Sequence, residues 1–331
     1  MSYLYVNEQG AKIGVEGGYF MVYTTDGMVK KIPKETLEAV VIFGHVHMSS
    51  HFIGEVLKRG VKVSIFSTTG RYFGRLESTL FSNAEILKTQ IKAMEDEQLK
   101  ISLTKKIIQA KISNQKVLLR RYGKQLTEIE DYLNTMQRIE ESIDRVNETE
   151  RIIGYEGMAA KVYFQAISAT LPEEFQFHGR NRRPPRDPFN SLISLGYTLL
   201  MYEIFGEITN RGLSPYIGFL HKDKQNHPTL ASDLMEEWRP VIVDSVALSL
   251  LRGRELHQSD FQTDEESGGV FLTSAGMKIF LNKYENKLRS DMNYLQPSSM
   301  SFRKAFWSQT GDLMNVMKER DASWYHPIRI R

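Results

Sequence analysis

Cysteine is absent from all 331 residues. That excludes disulfides and thiolate metal sites together, is compatible with a reducing compartment, and leaves oxygen and imidazole as the ligands a metal could find. Long apolar runs are also missing. No stretch approaches the ~20 apolar residues that cross a bilayer, and the opening Met-Ser-Tyr-Leu-Tyr-Val-Asn-Glu lacks the basic flank and apolar run of a secretory signal. The expectation is a cytoplasmic protein with no membrane partner. Charge of one sign is equally scarce: 43 Lys and Arg against 40 Asp and Glu leave a net of +3. Bulk electrostatics therefore does not mark a nucleic-acid binder, and such a role must rest on local patches. At about 150 residues per domain, the length suggests roughly two domains.

Up to residue 80 the chain reads as short strands. Tyr3 and Tyr5, Ile13 and Val15, Tyr19 to Tyr23, Ala39 to Phe43 and Val61 to Phe66 are β-branched or aromatic runs, broken by Gly10, Gly17-Gly18 and Asp26-Gly27. Asp26-Gly27 suits a hairpin turn. The span from Ser49 or Ser50 to Arg59 is more helical and Gly60 would stop it. His45, His47 and His51 invite a metal reading, but imidazoles near a strand end are more often packed or hydrogen-bonded. Arg71-Tyr-Phe-Gly-Arg75 could contact phosphates and bases, or be a solvated strand edge.

From residue 81 the pattern is helical. Ile86, Leu87, Ile91 and Met94, then Ile101, Ile107, Ile108 and Ile112, give apolar faces among Lys, Gln and Glu. Tyr122-Gly123-Lys124 reads as a turn, after which Ile129, Tyr132, Met136, Ile139, Ile143 and Val146 form a seam suited to a helix hairpin. Asp187-Pro188 caps a helix that is apolar almost all round from Leu192 to Ile208, hence central and buried. Ser274 is a candidate cap for a helix from Ala275 to Leu288. The expected fold class is α+β, a β-rich domain over residues 1–80 followed by a mostly α-helical catalytic domain over 81–331.

Three side chains stand out within the helical part. Glu156 shares a helix face with Ile152, Ala159, Ala160, Tyr163 and Ile167, and a carboxylate on an apolar stripe needs a partner or a cation. His221 follows the apolar Tyr216-Ile-Gly-Phe-Leu220. Glu236 lies in Leu230-Ala-Ser-Asp-Leu-Met-Glu-Glu-Trp-Arg-Pro240, where Asp233 stands one helical turn away and could converge on the same point. Pro240 removes an amide and should bend that helix. Two carboxylates and an imidazole suit Mg2+ or Mn2+, the imidazole tilting the balance toward Mn2+. His221 could instead be a general acid or base. Arg180, Arg182, Arg183 and Arg186, in a proline-containing loop, are candidate phosphate contacts. Taken singly, each of these residues has a plainer reading, as a salt-bridged carboxylate, a packed imidazole or a solvated charge.

The order Gly-Tyr-Glu156-Gly, Phe-Leu-His221 and Asp-Leu-Met-Glu236-Glu-Trp-Arg-Pro, with Arg-Arg-Pro-Pro-Arg-Asp-Pro-Phe-Asn190 and Leu-Gly-Tyr197 between, resembles the CRISPR-associated endonucleases of spacer acquisition, the Cas-one family. The resemblance covers nearly the whole chain. It implies a metal-dependent DNA endonuclease and integrase of antiviral defence, which joins the 3′ end of short foreign DNA to a CRISPR array by transesterification. It also implies a Glu156, His221, Glu236 triad, double-stranded and branched DNA as substrates, a homodimer through the N-terminal domain, and the small Cas-two adaptation protein as partner. A branched-DNA repair nuclease and a non-catalytic DNA-binding scaffold are the alternatives.

Overall fold

The strand β5 (Leu37–Phe43) is apolar along nearly its whole length, with Leu37 and Ala39 to Phe43 all buried. A strand covered on both faces belongs inside a parallel sheet, and β5 lies between β1 (Ser2–Val6) and β7 (Lys62–Phe66), parallel to both. The edge beside β7 is completed by the antiparallel β8 (Tyr72–Leu76). A second sheet has the order β4 (Val29–Pro33), β3 (Tyr19–Tyr23), β2 (Lys12–Glu16) and β6 (His47–Met48). One apolar cluster draws on both sheets, including Leu4, Ile13, Phe20, Val40 and Ile42, and on Phe52 and Val56 of α1 (Ser50–Arg59).

The computed structural model describes residues 2–27, 29–292 and 299–331, and the chain divides into two units, Met1–Ser82 and Asn83–Arg331. In the first, β3 and β4 pair antiparallel around Asp26-Gly27, with Gly27 at φ 86° as such a turn requires. Ser49 caps α1 by accepting from the Phe52 amide, and Gly60 ends it at φ 66°. Three strands, β4, β6 and β8, lie outside the expected runs. β4 offers only Ile32 to the core and otherwise carries exposed Val, Lys and Pro, the composition of an edge. Arg71-Tyr-Phe-Gly-Arg75 leads into the edge strand β8, with Arg71 and Phe73 exposed. His45, His47 and His51 are exposed, and among the described residues no three His, Asp or Glu side chains are grouped to hold a metal.

The second unit is built on helices. After α2 (Ala84–Met94), α3 (Glu97–Tyr122) and α4 (Ile129–Asp144) form a hairpin that α5 (Thr149–Thr170) completes. Leu133, Met136, Ile139 and Ile143 of α4 are buried within this chain, so the seam is intramolecular. The central helix is α6 (Pro188–Asn210), capped by Asp187, whose side chain accepts from the Asn190 amide. It packs against α7 (Thr229–Leu234), α8 (Ser245–Arg252) and the π-helical turn Arg239–Asp244 that joins them. Pro240 sits in that widened turn, where the missing amide costs no α-helical bond.

A short hairpin, β9 (Phe261–Thr263) with β10 (Val270–Leu272), precedes α9 (Ser274–Arg289), whose cap is Thr273 rather than Ser274. Strands β11 (Asp291–Met292) and β12 (Met300–Ser301) lead into α10 (Phe302–Glu319). The chain then turns back into the core. Tyr325, Ile328 and Ile330 are buried, and Asn114 of α3 both donates to Ile328 O at 3.0 Å and accepts from the Ile330 amide at 2.9 Å.

Candidate active site

Glu156 leaves the second turn of α5 beside buried Ile152, Ala159 and Tyr163. Glu236 lies just past the end of α7 and is 2% exposed. The two meet on Lys111 of α3, whose Nζ donates to Glu156 Oε1 and, at 2.6 Å, to Glu236 Oε2. Arg239 Nη2 lies 2.9 Å from the other Glu236 oxygen. Burial by itself would push the Glu236 carboxyl up, but Arg239, Lys111 and His221 outweigh it and hold the group well below the usual range. Burial also opposes the Lys111 charge, and Glu156 and Glu236 outweigh that and raise its pKa. Glu236 and Lys111 are therefore ionised at neutral pH, each satisfied by the other.

His221 is brought to this cluster by Asp233. The buried Asp233 accepts from the amides of Phe219, Leu220 and His221 at 2.8, 3.0 and 3.2 Å, and its Oδ1 lies 2.7 Å from His221 Nδ1. Nδ1 is thereby engaged and Nε2 is the nitrogen left for chemistry. Burial lowers the imidazole pKa, but the Asp233 bond and the charges of Glu236 and Asp233 raise it further than burial lowers it. The structure thus separates two acids expected to converge. α7 stops at Leu234, so Asp233 orients the 219–221 segment while Glu236 faces Lys111 and Arg239.

The neighbouring acid Glu237 points elsewhere. Gln309 Nε2 donates to its Oε1 at 2.6 Å and Tyr325 OH does so at 3.2 Å, while burial pushes its pKa up to about 8. Behind the cluster, Asp244 accepts from Tyr163 OH at 2.8 Å and Tyr197 OH at 2.6 Å. Sequence reasoning missed Lys111, Arg239 and Asp244. Lys111 did carry a signal, since it follows Ile107 and Ile108 on the apolar face of α3 as Glu156 does on α5.

The four arginines separate. Arg180 turns inward, donating to Asn190 Oδ1 at 2.7 Å, to Ser194 Oγ at 3.1 Å and to Asn181 O, and burial brings its pKa down to about 10. Arg186 is exposed and donates to Gly268 O at 3.0 Å. Arg182 and Arg183 are exposed. Glu156 lines a cavity of about 810 Å3 with Lys161, Phe164, His178, Arg180 and Arg182. His221 lines another of about 880 Å3, where Glu95, Glu97, Glu148, Glu150 and Asp223 outnumber Lys100 and Lys222. The first is the cationic approach to the cluster and the second the acidic one.

Among the described residues no three acid or imidazole groups stand at metal-holding spacing. The donor chemistry nonetheless fits a hard divalent cation: two carboxylates already share one cationic partner, and an imidazole with its other nitrogen engaged lies within electrostatic reach of one of them, Glu236.

Known proteins share both the sequence and the fold. The family model for CRISPR associated protein Cas1 matches residues 4–286. A CRISPR-associated endonuclease Cas1 from Mycobacterium tuberculosis (strain CDC 1551 / Oshkosh) is 35% identical over 332 residues, 100% of this chain and 96% of that protein. A chain solved in a Cas6-RT-Cas1–Cas2 complex has the same fold at TM-score 0.87 and 24% identity, across 100% of this chain and 36% of that one. This chain therefore spans about a third of that chain's length. A casposase bound to integration product matches at TM-score 0.82 and 24% identity, over 100% and 96%. With a family match that runs through both units and a relative that aligns end to end, the chain belongs to the Cas1 family of CRISPR-associated proteins.

Proposed function

We propose that this chain is a metal-dependent DNA endonuclease and integrase, which inserts short foreign DNA into a CRISPR array by attack of a 3′ hydroxyl on a phosphodiester. The observation that carries the reading is the convergence of Glu156 and Glu236, from separate helical segments, on one cationic partner with His221 alongside. Relatives named CRISPR-associated endonucleases and a fold neighbour caught on an integration product support both halves of it.

Glu156, Glu236 and His221 Nε2 would hold Mg2+ or Mn2+, which when bound activates the attacking hydroxyl and neutralises charge building on the phosphate. The protein's own contribution is positional. Asp233 fixes the imidazole, Arg239 fixes one oxygen of Glu236, and the Tyr163–Asp244–Tyr197 bridge holds α5, α6 and the π-helical turn in register. Lys161 and Arg182, on the cavity that reaches Glu156, would hold the DNA backbone on that side, and the acidic cavity beside His221 would repel it.

Cas2 as partner is supported by the neighbour solved in a Cas1–Cas2 assembly. Homodimerisation through the N-terminal unit is part of the same reading. Among the described residues no helix is long and apolar enough to cross a membrane.

The test is strand joining on a branched duplex with a free 3′ hydroxyl, in Mn2+ or Mg2+, for the wild type and Glu156→Ala. Joined product that disappears in the variant and with EDTA supports the reading. Metal-dependent cutting without joining would leave a branched-DNA repair nuclease, and binding with neither activity a scaffold.

A further inference from the structure

The point on which Glu156 and Glu236 converge already holds a positive charge, and that charge belongs to the chain. Lys111 rises from the apolar face of α3, its side chain 5% exposed, and its ammonium donates to one oxygen of each carboxylate. Glu236 has no oxygen to spare, because Arg239 takes the other. His221 has one nitrogen committed to Asp233. As the side chains stand, the oxygens that face the shared point are Lys111's.

Charge balance gives this arrangement a consequence. Two carboxylates, Glu156 and Glu236, face two permanent cations, Lys111 and Arg239, while Asp233 faces His221. The cluster is nearly neutral without a metal, as a buried cluster must be to remain ionised. A divalent cation added beside the ammonium would crowd three positive charges onto the same two oxygens in a poorly screened site. The two cations exclude each other, and a four-carbon stem lets the ammonium leave.

We propose that Lys111 is a built-in counter-cation, which occupies the cation position of the metal-free enzyme, keeps the two carboxylates aimed at each other, and yields the position to the divalent ion. It is a positioning residue that also sets metal affinity. The inference rests on the metal-dependent reading of the site. It differs in sign from a purely structural salt bridge, since losing a mere bridge would splay the carboxylates and weaken metal binding, whereas losing a competitor strengthens it.

The experiment is calorimetric titration of the full-length, EDTA-treated protein with MnCl2, for the wild type, Lys111→Met, Lys111→Gln and Glu236→Gln, paired with thermal unfolding with and without Mn2+. The expected result is a lower metal-free Tm for Lys111→Met, Mn2+ binding at least tenfold tighter than wild type, and a larger Tm rise on adding Mn2+. Lys111→Gln, which keeps a donor and loses the charge, follows in affinity and keeps more of the metal-free stability, so the affinity comparison survives if the methionine variant does not fold. Affinity equal to or weaker than wild type in the folded Lys111 variants overturns the proposal while leaving the metal reading intact. Absence of Mn2+ binding by the wild type, or binding indifferent to Glu236→Gln, overturns both.

Discussion

His221 Nδ1 lies 2.7 Å from Asp233 Oδ1, and the same buried carboxylate gathers three successive backbone amides of the segment that carries the imidazole. Asp233 is therefore a hub through which loop conformation and ring orientation are set together. Asp233→Ala leaves those amides and the ring without their acceptor, and unfolding in urea should show a loss of about 3–5 kcal/mol, the usual cost of stranding a buried charged network. A subtler probe is Gly218, where an added Cβ would fall 2.5 Å from Asp233 Oδ2 and 2.6 Å from Thr229 Cγ2. Gly218→Ala should cost about 1–3 kcal/mol as overpacking does, and strand joining should fall with it. Wild-type stability and activity in that variant would show that the hub tolerates displacement.

The two glutamates should separate by stability as well as chemistry. Glu236 is 3% exposed by side chain and faces both Lys111 and Arg239, whereas Glu156 is 24% exposed and faces Lys111 alone. Glu236→Ala strands the buried Arg239 and leaves Lys111 with the more exposed Glu156, and its loss should be about 3–5 kcal/mol; Glu156→Ala leaves Lys111 with the buried Glu236 and should cost clearly less. Both should abolish joining. Urea titration of the two variants side by side decides it, and equal losses would mean that Arg239 contributes nothing to the network.

How far these features are legible from sequence depends on the length of the pattern that carries them. The helix α6 could be read because an aspartate cap, a first-turn proline and some twenty apolar-rich residues agree. Glu156, His221 and Glu236 could be singled out because acid and imidazole on apolar approaches ask for partners. Lys111 escaped because a lysine on a long, mixed helix reads as surface even where it follows Ile107 and Ile108, and tertiary packing is what leaves it 4% exposed. Asp233 and Glu236 were expected on one side of one helix, but α7 stops between them and the backbone widens at Arg239–Asp244, a departure that spacing alone does not encode. The buried tail at Tyr325, Ile328 and Ile330 is too short and irregular to show any period.

Asp244 should impose a pH dependence on stability. Burial raises its pKa from 3.8 to about 6, against the opposing hydrogen bonds of Tyr197 and Tyr163 and the charges of Arg239 and Lys111. A carboxyl that holds its proton more tightly when folded contributes stability that is complete below about pH 4 and is lost as pH rises through about 6. At 1.36 kcal/mol per unit, the loss is of order 3 kcal/mol. Asp244→Asn cannot ionise and keeps an acceptor for one of the two tyrosines, so the wild type should lose about that much relative to the variant between pH 4 and pH 7. Urea titrations across this range measure it. A constant difference would place the Asp244 pKa near its ordinary value.

The arginine loop should divide in DNA binding. Arg180 is occupied by Asn190 and Ser194 at the start of α6, so Arg180→Ala should loosen the loop and lower stability. Arg182 is exposed at the mouth of the cavity that Glu156 lines, and its guanidinium is available to a phosphate. Removing one cation from a phosphate reduces the slope of log affinity against log salt by about 1. Arg182→Ala should therefore weaken binding of branched duplex while lowering the salt slope by about 1 and leaving the melting temperature unchanged. Arg180→Ala should lower the melting temperature first. Fluorescence anisotropy at a series of salt concentrations distinguishes the two, and an unchanged slope in Arg182→Ala would remove that residue from the DNA path and leave Lys161 as the cation beside Glu156 that holds the strand.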